Sequence, residues 1–236
     1  MVRFLSTNYP KKFWNEDKGL TSIFILLCIN NFLIIPFFEH GPFIHLLSRI
    51  IWLILLIAGI TALAESRKQM RYFFIIPILL VSVNLLQLIS DNQILDYVEF
   101  AVKLAVSALL IGMVLVKVFE AGSVTVHRVI GSILAYMLIG NIWADLFEFI
   151  CLNSPWALQF PAADVQTGIS SSTYLYFSYT TLTTTGFGEI LPLNSMARTL
   201  VIVEQMVGVL YPVVLIGRLV SLVTGASREK PDPENQ

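Results

Sequence analysis

A run of small polar residues in an otherwise apolar chain is the arrangement whose residue types and spacing could do chemistry. Residues 180–185 are Thr-Thr-Leu-Thr-Thr-Thr, and they are followed directly by Gly186, Phe187, Gly188 and the acid Glu189. Glycine readily adopts left-handed backbone angles, so the carbonyl oxygens of successive residues can turn to one side. Oxygens arranged in this way can replace the water around a cation. The stretch therefore predicts a backbone binding site for a dehydrated cation.

The composition of the chain places it in the membrane class. It has 236 residues, of which 56% are hydrophobic and 13% are charged, and its mean hydropathy is +0.76. Soluble domains of this size are less apolar. The net charge of −1 gives no indication of nucleic-acid binding, and two cysteines are too few for a disulfide framework. The sequence shows no phosphate-binding loop, His/Cys cluster or nucleophile–histidine–acid set, so it gives enzyme function no support.

Six apolar segments are long enough to cross a bilayer, whose core requires about 20 residues of helix. They are residues 20–38, 43–64, 72–89, 94–118, 124–151 and 195–224. The polar stretch at 180–192 lies between the last two, and non-helical backbone at that depth survives only where protein buries it or where it lines a water-filled path. We therefore predict an all-α membrane protein with six transmembrane helices and a re-entrant element before the sixth.

Positive charge alternates between the loops in the way that sets membrane orientation. Lys and Arg are concentrated at the N-terminus, in two alternate connections and in the tail, whereas the opposite loops carry acids. Six spans with both termini in the cytoplasm satisfy this pattern, which is expected in a plasma or inner cell membrane. The predicted regions are a cytoplasmic N-terminus at 1–19, a four-helix peripheral domain at 20–119, a pore domain at 124–224 and a cytoplasmic tail at 225–236.

The polar stretch resembles the selectivity filter of the potassium channel superfamily, whose pattern is Thr-Val-Gly-Tyr-Gly followed by Asp. The matching residues are Thr184, Thr185, Gly186, Phe187, Gly188 and Glu189. The resemblance implies that potassium ions bind at the carbonyl oxygens of the first five. It also implies a homotetramer, because one chain supplies one filter strand and no internal repeat supplies the others.

Three positions depart from the filter pattern. Phe187 lacks the hydroxyl that Tyr would place behind the filter, and Glu189 is longer than Asp. Thr185 stands in the Val position and brings a hydroxyl that can bond a neighbouring carbonyl or water. We therefore expect Thr185→Val and Phe187→Tyr to raise potassium-over-sodium selectivity or filter stability. Cation conduction follows from the motif, whereas strict potassium selectivity is left open.

A short helix is predicted directly before the filter. The serines at 170–172 are favourable N-caps for a pore helix over 173–183, whose C-terminal partial negative charge would face an entering cation. Tyr176 and Phe177 are expected to brace the filter from behind. Anchoring at the membrane interface is the alternative role for such aromatic residues.

The last span contains three residues that are unusual in an apolar helix. Glu204 is expected either to hydrogen-bond Thr180 or Thr181 of the pore helix, as filter support, or to face the cavity and concentrate cations. Gly208 stands where the superfamily has its gating hinge, although close helix packing explains a glycine equally well. Pro212 removes a helical hydrogen bond one turn later and predicts a kink.

The first four spans resemble, weakly, the peripheral domain of six-helix channels. A voltage sensor needs a cation at every third position, and Lys103 belongs to no such series. We expect Lys103 to be held by Glu99 or Asn84, and Arg49 to be statically paired or to reach the outer interface. The connection between the fourth and fifth spans has about five residues, too few for a linker helix, so these spans are expected to pack within one subunit without domain swapping.

Together these observations predict a homotetrameric cation channel that passes potassium down its gradient. The expected partners are further copies of the chain, membrane lipids and monovalent cations, with no nucleic acid and no cofactor besides the filter ions. Two alternatives remain open. The chain could form a poorly selective monovalent cation channel, or it could be a non-conducting membrane scaffold or accessory subunit that keeps a filter-like fold.

Overall fold

The computed structural model describes residues 16–37, 50–55, 57–58, 78–79, 81–82, 93–119 and 125–228. The longer helices in these ranges are α1 (Glu16–Ile29), α3 (Gln93–Phe119), α4 (Val126–Asn153), α6 (Ser171–Leu182) and α7 (Ser195–Arg228). The shorter elements are α2 (Ile35–Phe37), β1 (Leu158–Gln159), α5 (Ala162–Thr167) and β2 (Leu191–Pro192).

Three of the described helices are long and apolar enough to cross a membrane. They are Ile94–Phe119, Val126–Asn153 and Ser195–Arg218, and they correspond to the predicted fourth, fifth and sixth spans. The first predicted span contains a shorter apolar helix, Gly19–Ile34. The second and third predicted spans lie mostly outside the described residues, as do Arg49 and the connection at 120–124. The described chain is therefore a mostly helical membrane protein.

The first helix changes its hydrogen-bond pattern before it ends. Residues Asn30–Ile34 form a π-helical segment between α1 and α2, in which the Ile35 N–H bonds the Asn30 carbonyl five residues back. Pro36 follows directly, and proline lacks an N–H and crowds the carbonyl four residues before it. The wider turn brings two consecutive side chains, Asn30 and Asn31, into the protein interior, where both are fully buried.

Helices α1 and α3 pack against α4 through apolar side chains. On α3 the buried positions recur every four residues, so they form one face of the helix. These positions are Val102, Val106, Leu110, Val114 and Val118. On α4 a small residue permits close approach, because a Cβ at Gly131 would lie 3.0 Å from a Leu20 methyl group of α1 and 3.1 Å from one of Val118. Such contacts suit a membrane, where helices associate by close packing.

Two oppositely charged residues at membrane depth on α3 form an ion pair. Lys103 Nζ lies 3.0 Å from Glu99 Oε1, one helical turn away, which is a favourable spacing for an ion pair. This confirms that Glu99 holds Lys103. The helix that carries the pair packs on α4 of the same chain, the arrangement expected from a short connection between them.

A second packed region surrounds the short helix α6. Helix α6 lies between α4 and α7 and contacts both, and its Phe177 ring meets Phe147 of α4 with centroids 4.8 Å apart. Strands β1 and β2 pair antiparallel, with Leu158 opposite Pro192. Because β2 follows the polar stretch closely and β1 lies between α4 and α6, this ladder ties the far end of the stretch to the segment before α6.

Candidate functional site

The polar stretch at 183–189 has an unusual backbone. Thr184, Gly186 and Gly188 have positive φ angles of 57°, 54° and 89°, whereas the intervening Thr185 and Phe187 do not. In an ordinary strand, alternate residues point to opposite sides. Inverting the sign of φ at every second residue allows successive carbonyls to share one side. A β-branched residue rarely adopts a positive φ, and such strain is concentrated at functional sites.

Backbone hydrogen bonds join the start of this stretch to the end of α6. The Thr180 carbonyl accepts from the N–H groups of Thr185 and Gly186 at 2.8 and 3.1 Å, and the Thr181 carbonyl accepts from Thr184 N–H at 2.9 Å. The Thr180 hydroxyl instead donates to Phe177 O at 3.0 Å. The last carbonyls of a helix lack partners within the helix, and here the polar stretch supplies them.

Two threonine hydroxyls continue this connection. The Thr183 hydroxyl donates to Tyr179 O at 2.7 Å, and the Thr185 hydroxyl lies 2.9 Å from it. Since Thr183 has a single hydroxyl proton, the proton between the two threonines comes from Thr185. The Thr185 hydroxyl is thus bonded to the Thr183 side chain, and not to a carbonyl of the stretch.

The far end of the stretch is held by α6 and by the two strands. The Tyr176 hydroxyl donates to the Glu189 carboxylate, and this hydrogen bond raises the pKa of Tyr176 to about 12. The next residue, Ile190, is buried, and Leu193 N–H bonds Ala157 O at 2.9 Å. Residues 183–189 between these attachments are all exposed, and the Phe187 side chain is 71% exposed.

Two glycines allow α6 to sit close to its neighbours. A Cβ at Gly208 of α7 would overlap the Leu182 carbonyl at the C-terminal end of α6. A Cβ at Gly140 of α4 would lie 2.6 Å from the Tyr179 ring on the other side of α6. Gly208 therefore has a packing role whatever its role in gating, and the hinge stays a prediction.

Pro212 and Tyr136 together explain the polar contacts at Gly208. Proline at 212 cannot donate to the carbonyl four residues earlier, which belongs to Gly208. The Tyr136 hydroxyl of α4 lies 3.5 Å from that carbonyl and 3.1 Å from Leu182 O. One tyrosine thus lies where α4, α6 and α7 meet. Helix α7 runs through Pro212 as one helix from Ser195 to Arg228.

Glu204 is buried against α6, but its partner is neither Thr180 nor Thr181. Its side chain is 0% exposed, and Glu204 Oε1 lies 2.6 Å from Ser178 Oγ. Ser178 Oγ also lies 2.7 Å from Gly140 O of α4. The acid therefore does not face an open cavity within the chain, and it contacts the helix two residues before Thr180.

A cluster of buried amides links α1 to α6 and was missed from the sequence. The Asn31 amide donates to Asn141 Oδ1 at 2.8 Å and to the Tyr179 hydroxyl at 2.9 Å. Tyr179 in turn lies 3.2 Å from Met137 O. The available signal was the pair Asn30–Asn31 inside an apolar run, because buried amides in a membrane need partners. Its partners on α4 and α6 are more than 100 residues away in sequence.

The comparison with known families identifies the part of the chain that contains this site. Residues 129–225 match a family model described as an ion channel. These residues belong to the ion channel superfamily. The ion-channel segment includes nearly all of α4, the whole of α6, the polar stretch at 183–189 and most of α7. No curated protein and no solved structure matches the chain.

The ion-channel segment brings the predicted site residues into one assembly of three helices. Thr180 and Tyr176 contact the polar stretch, Phe177 is buried against α4, and Glu204 and Gly208 of α7 contact α6. The family match indicates an ion channel.

Proposed function

We propose that copies of this chain surround a pore in which the carbonyl oxygens of Thr184, Thr185, Gly186, Phe187 and Gly188 bind dehydrated potassium ions. The observation that carries the proposal is the alternation of positive φ angles through this stretch. It is supported by the superfamily of the segment, because a filter of backbone carbonyls is one way in which a channel replaces the hydration shell of an ion.

The exposure of the stretch supports assembly around an axis. Residues 183–189 are non-helical and exposed in a single chain, and irregular backbone cannot face lipid. Each chain offers one such strand, so several copies are required to enclose a water-filled path. We propose four copies, with the peripheral helices packed on the pore helices of their own subunit.

Helix α6 is suited to the role of pore helix. It ends at Leu182, immediately before the proposed filter, and the C-terminal end of a helix carries partial negative charge. The N–H groups of Thr185 and Gly186 donate to the Thr180 carbonyl. The partial negative charge that remains at the helix end would favour a cation. Glu189 at the opposite end would add an acid to the outer mouth.

The proposal places the channel in a cell membrane with both termini cytoplasmic, in contact with lipids and monovalent cations. It includes no voltage sensor of the arginine-series type. Lys103, a cation that α3 carries at membrane depth, is paired with Glu99 on its own helix. We expect open probability to vary only shallowly with voltage.

A poorly selective monovalent cation channel is the second candidate. The observation that favours it is the exposed Phe187, which has no hydroxyl to hold the strand, at a position where the superfamily pattern has Tyr. A filter that is less firmly braced would discriminate less between cations of different size.

Ion flux into liposomes of purified protein tests conduction, and the reversal potential in mixed potassium and sodium tests selectivity. Gly186→Ala is the informative variant, because a Cβ there meets no atom within 4 Å and only the φ of 54° resists it. Gly112→Ala is the matched control, since that glycine also has open space among the described residues but lies in an ordinary helix.

We expect wild type and Gly112→Ala to conduct with a reversal potential near that of potassium, and Gly186→Ala to lose most flux. A reversal potential near zero would favour the poorly selective channel. Absence of flux from all three assembled proteins would favour the scaffold. A native mass other than four chains would contradict the tetramer.

A further inference from the structure

Three oxygen atoms from three helices form a row of two close contacts where α6 packs against α4 and α7. Ser178 Oγ of α6 stands in the middle, 2.7 Å from Gly140 O of α4 and 2.6 Å from Glu204 Oε1 of α7. All three residues are buried, with Ser178 and Glu204 each 0% exposed. Both distances are those of strong O–H···O hydrogen bonds.

The number of protons in this row is fixed by its chemistry. A backbone carbonyl only accepts, and a serine hydroxyl has one proton to donate. Ser178 therefore donates to Gly140 O, since two oxygens 2.7 Å apart without a proton between them would repel each other. The contact between Ser178 and Glu204 then needs a second proton, and the only atom that can supply it is a carboxyl oxygen of Glu204.

The surroundings of Glu204 also lack what a carboxylate would require. Its second oxygen, Oε2, is buried and has no hydrogen-bond partner in the part of the chain that the structure describes. The groups that interact with Glu204 among the described residues are Ser178 and, from α4, Tyr136, and neither is a cation. Because the side chain has no exposed surface within one chain, a neighbouring copy cannot reach Oε2. A buried, unpaired charge is strongly unfavourable.

We propose that Glu204 is a neutral carboxylic acid whose O–H donates to Ser178 and thereby fixes α6 between α4 and α7. In this arrangement the Glu204 O–H donates to Ser178 Oγ, and the Ser178 O–H donates to Gly140 O. Glu204 acts as a positioning residue for the filter, because Ser178 precedes Thr180, whose carbonyl holds the filter strand, by two residues on the same helix. The importance of this position for conduction rests on the function proposed above.

Infrared difference spectroscopy of the purified protein in lipid tests the protonation state directly. A protonated carboxylic acid has a C=O stretching band that a carboxylate lacks. We expect wild type at neutral pH to show this band and Glu204→Gln to lose it. Asp164→Asn is the matched control, because it removes a half-buried acid of α5 outside the row and should leave the band unchanged.

Thermal unfolding distinguishes the contribution of the hydrogen bond to stability from the contribution of a side chain that only fills the space. The Glu204→Gln amide keeps an N–H donor for Ser178 and should unfold within about 2 °C of wild type. Glu204→Met has similar length but no donor. It should unfold about 5 °C lower, the shift expected when a buried hydrogen bond is lost from a chain of this size.

Loss of a carboxylate band, rather than an acid band, in Glu204→Gln would overturn the proposal. Destabilisation by Gln as large as that by Met would also overturn it, because a neutral donor would then fail to replace the acid. If Glu204→Met does not fold, the infrared comparison and the Gln variant still decide. Neither measurement requires conduction, so a protein that passes no ions would refute the proposed function and leave this result intact.

Discussion

The exposed strand at residues 183–189, here called the filter strand, differs in construction from the buried contacts that hold α6 in place, here called its seat. Residues 183–189 are attached mainly through backbone N–H groups that bond the Thr180 and Thr181 carbonyls, and their unusual angles recur at alternate positions. The seat depends on individual side chains, or their absence, on several helices. Its members are Asn31, Tyr136, Gly140, Asn141, Ser178, Glu204 and Gly208.

This difference determines which part tolerates substitution. A backbone arrangement requires particular conformations, so it is sensitive at its glycines and less sensitive at the side chains between them. A seat of close contacts and buried polar groups has no spare volume and few spare hydrogen bonds, so most changes there cost stability. We therefore expect the largest mutational effects on stability in the seat, although ions are proposed to bind in the strand.

Gly208→Ala should have the largest effect. A Cβ at this position would overlap the Leu182 carbonyl, and backbone at the end of α6 cannot move aside without moving the filter strand. We expect a loss of about 3 kcal/mol or more in the free energy of unfolding, at the upper end for an overpacked core, with failure to assemble. Size-exclusion chromatography and thermal unfolding measure this.

Gly217→Ala is the matched control for Gly208→Ala. It lies on the same helix with open space around the new Cβ, and alanine favours helix over glycine. We expect wild-type assembly from this variant. Normal assembly and stability of Gly208→Ala would show that α7 can move away from α6, which would favour the hinge over close packing.

Gly140→Ala should have the next largest effect. The new Cβ would lie 2.6 and 2.9 Å from two atoms of the Tyr179 ring. A ring can shift where a backbone cannot, but Tyr179 would then lose its bonds to Met137 O and Asn31. We expect a loss of about 1–3 kcal/mol in the free energy of unfolding. Gly112→Ala serves as the control, and equal unfolding midpoints would contradict the close fit.

The amide cluster should show moderate coupling in a double-mutant cycle of Asn31→Leu and Asn141→Leu. The two side chains share a hydrogen bond of 2.8 Å, and polar pairs between membrane helices couple by about 0.6 kcal/mol on average. We expect each single variant to be destabilised and the double variant to be less so than the sum. Strictly additive losses of unfolding free energy would mean that the two amides act separately.

Thr185→Val should have the smallest effect. The hydroxyl bonds Thr183 beside the strand, so its loss removes one exposed hydrogen bond without changing a carbonyl. We expect the reversal potential in mixed potassium and sodium to stay close to that of wild type, with flux retained. Thr183→Val is the comparison, because it also removes the bond to Tyr179 O. A large loss of selectivity in Thr185→Val would show that the hydroxyl holds the filter carbonyls in place.

The sequence predicted the strand better than the seat. The motif at 184–189 is contiguous, and its glycines imply their own backbone angles, so the site could be located without a fold. The structure added that Thr184 also has a positive φ, which a β-branched residue does not suggest. It also showed that Thr180 contributes its carbonyl to the strand, while its hydroxyl bonds within α6.

The seat could not be predicted because it depends on the rotation of helices about their axes. Glu204 was expected against a hydroxyl of the pore helix, and three hydroxyls, at residues 178, 180 and 181, lie within one turn of each other. The apolar pattern of α6 is too weak to say which of them faces α7. The partner of Asn31 was still less accessible, since nothing local connects it with Asn141.

The π-helical turn at Asn30–Ile34 has a consequence for the evolution of this chain. Such a turn holds one residue more than an α-helix would, and each α-helical residue advances about 100° around the axis. Deleting one residue there would rotate the stripe of Leu20, Ile23 and Leu27 away from α4 or remove Asn31 from Asn141. Related chains should therefore keep the extra residue together with the amides of Asn31 and Asn141, or lose all three at once.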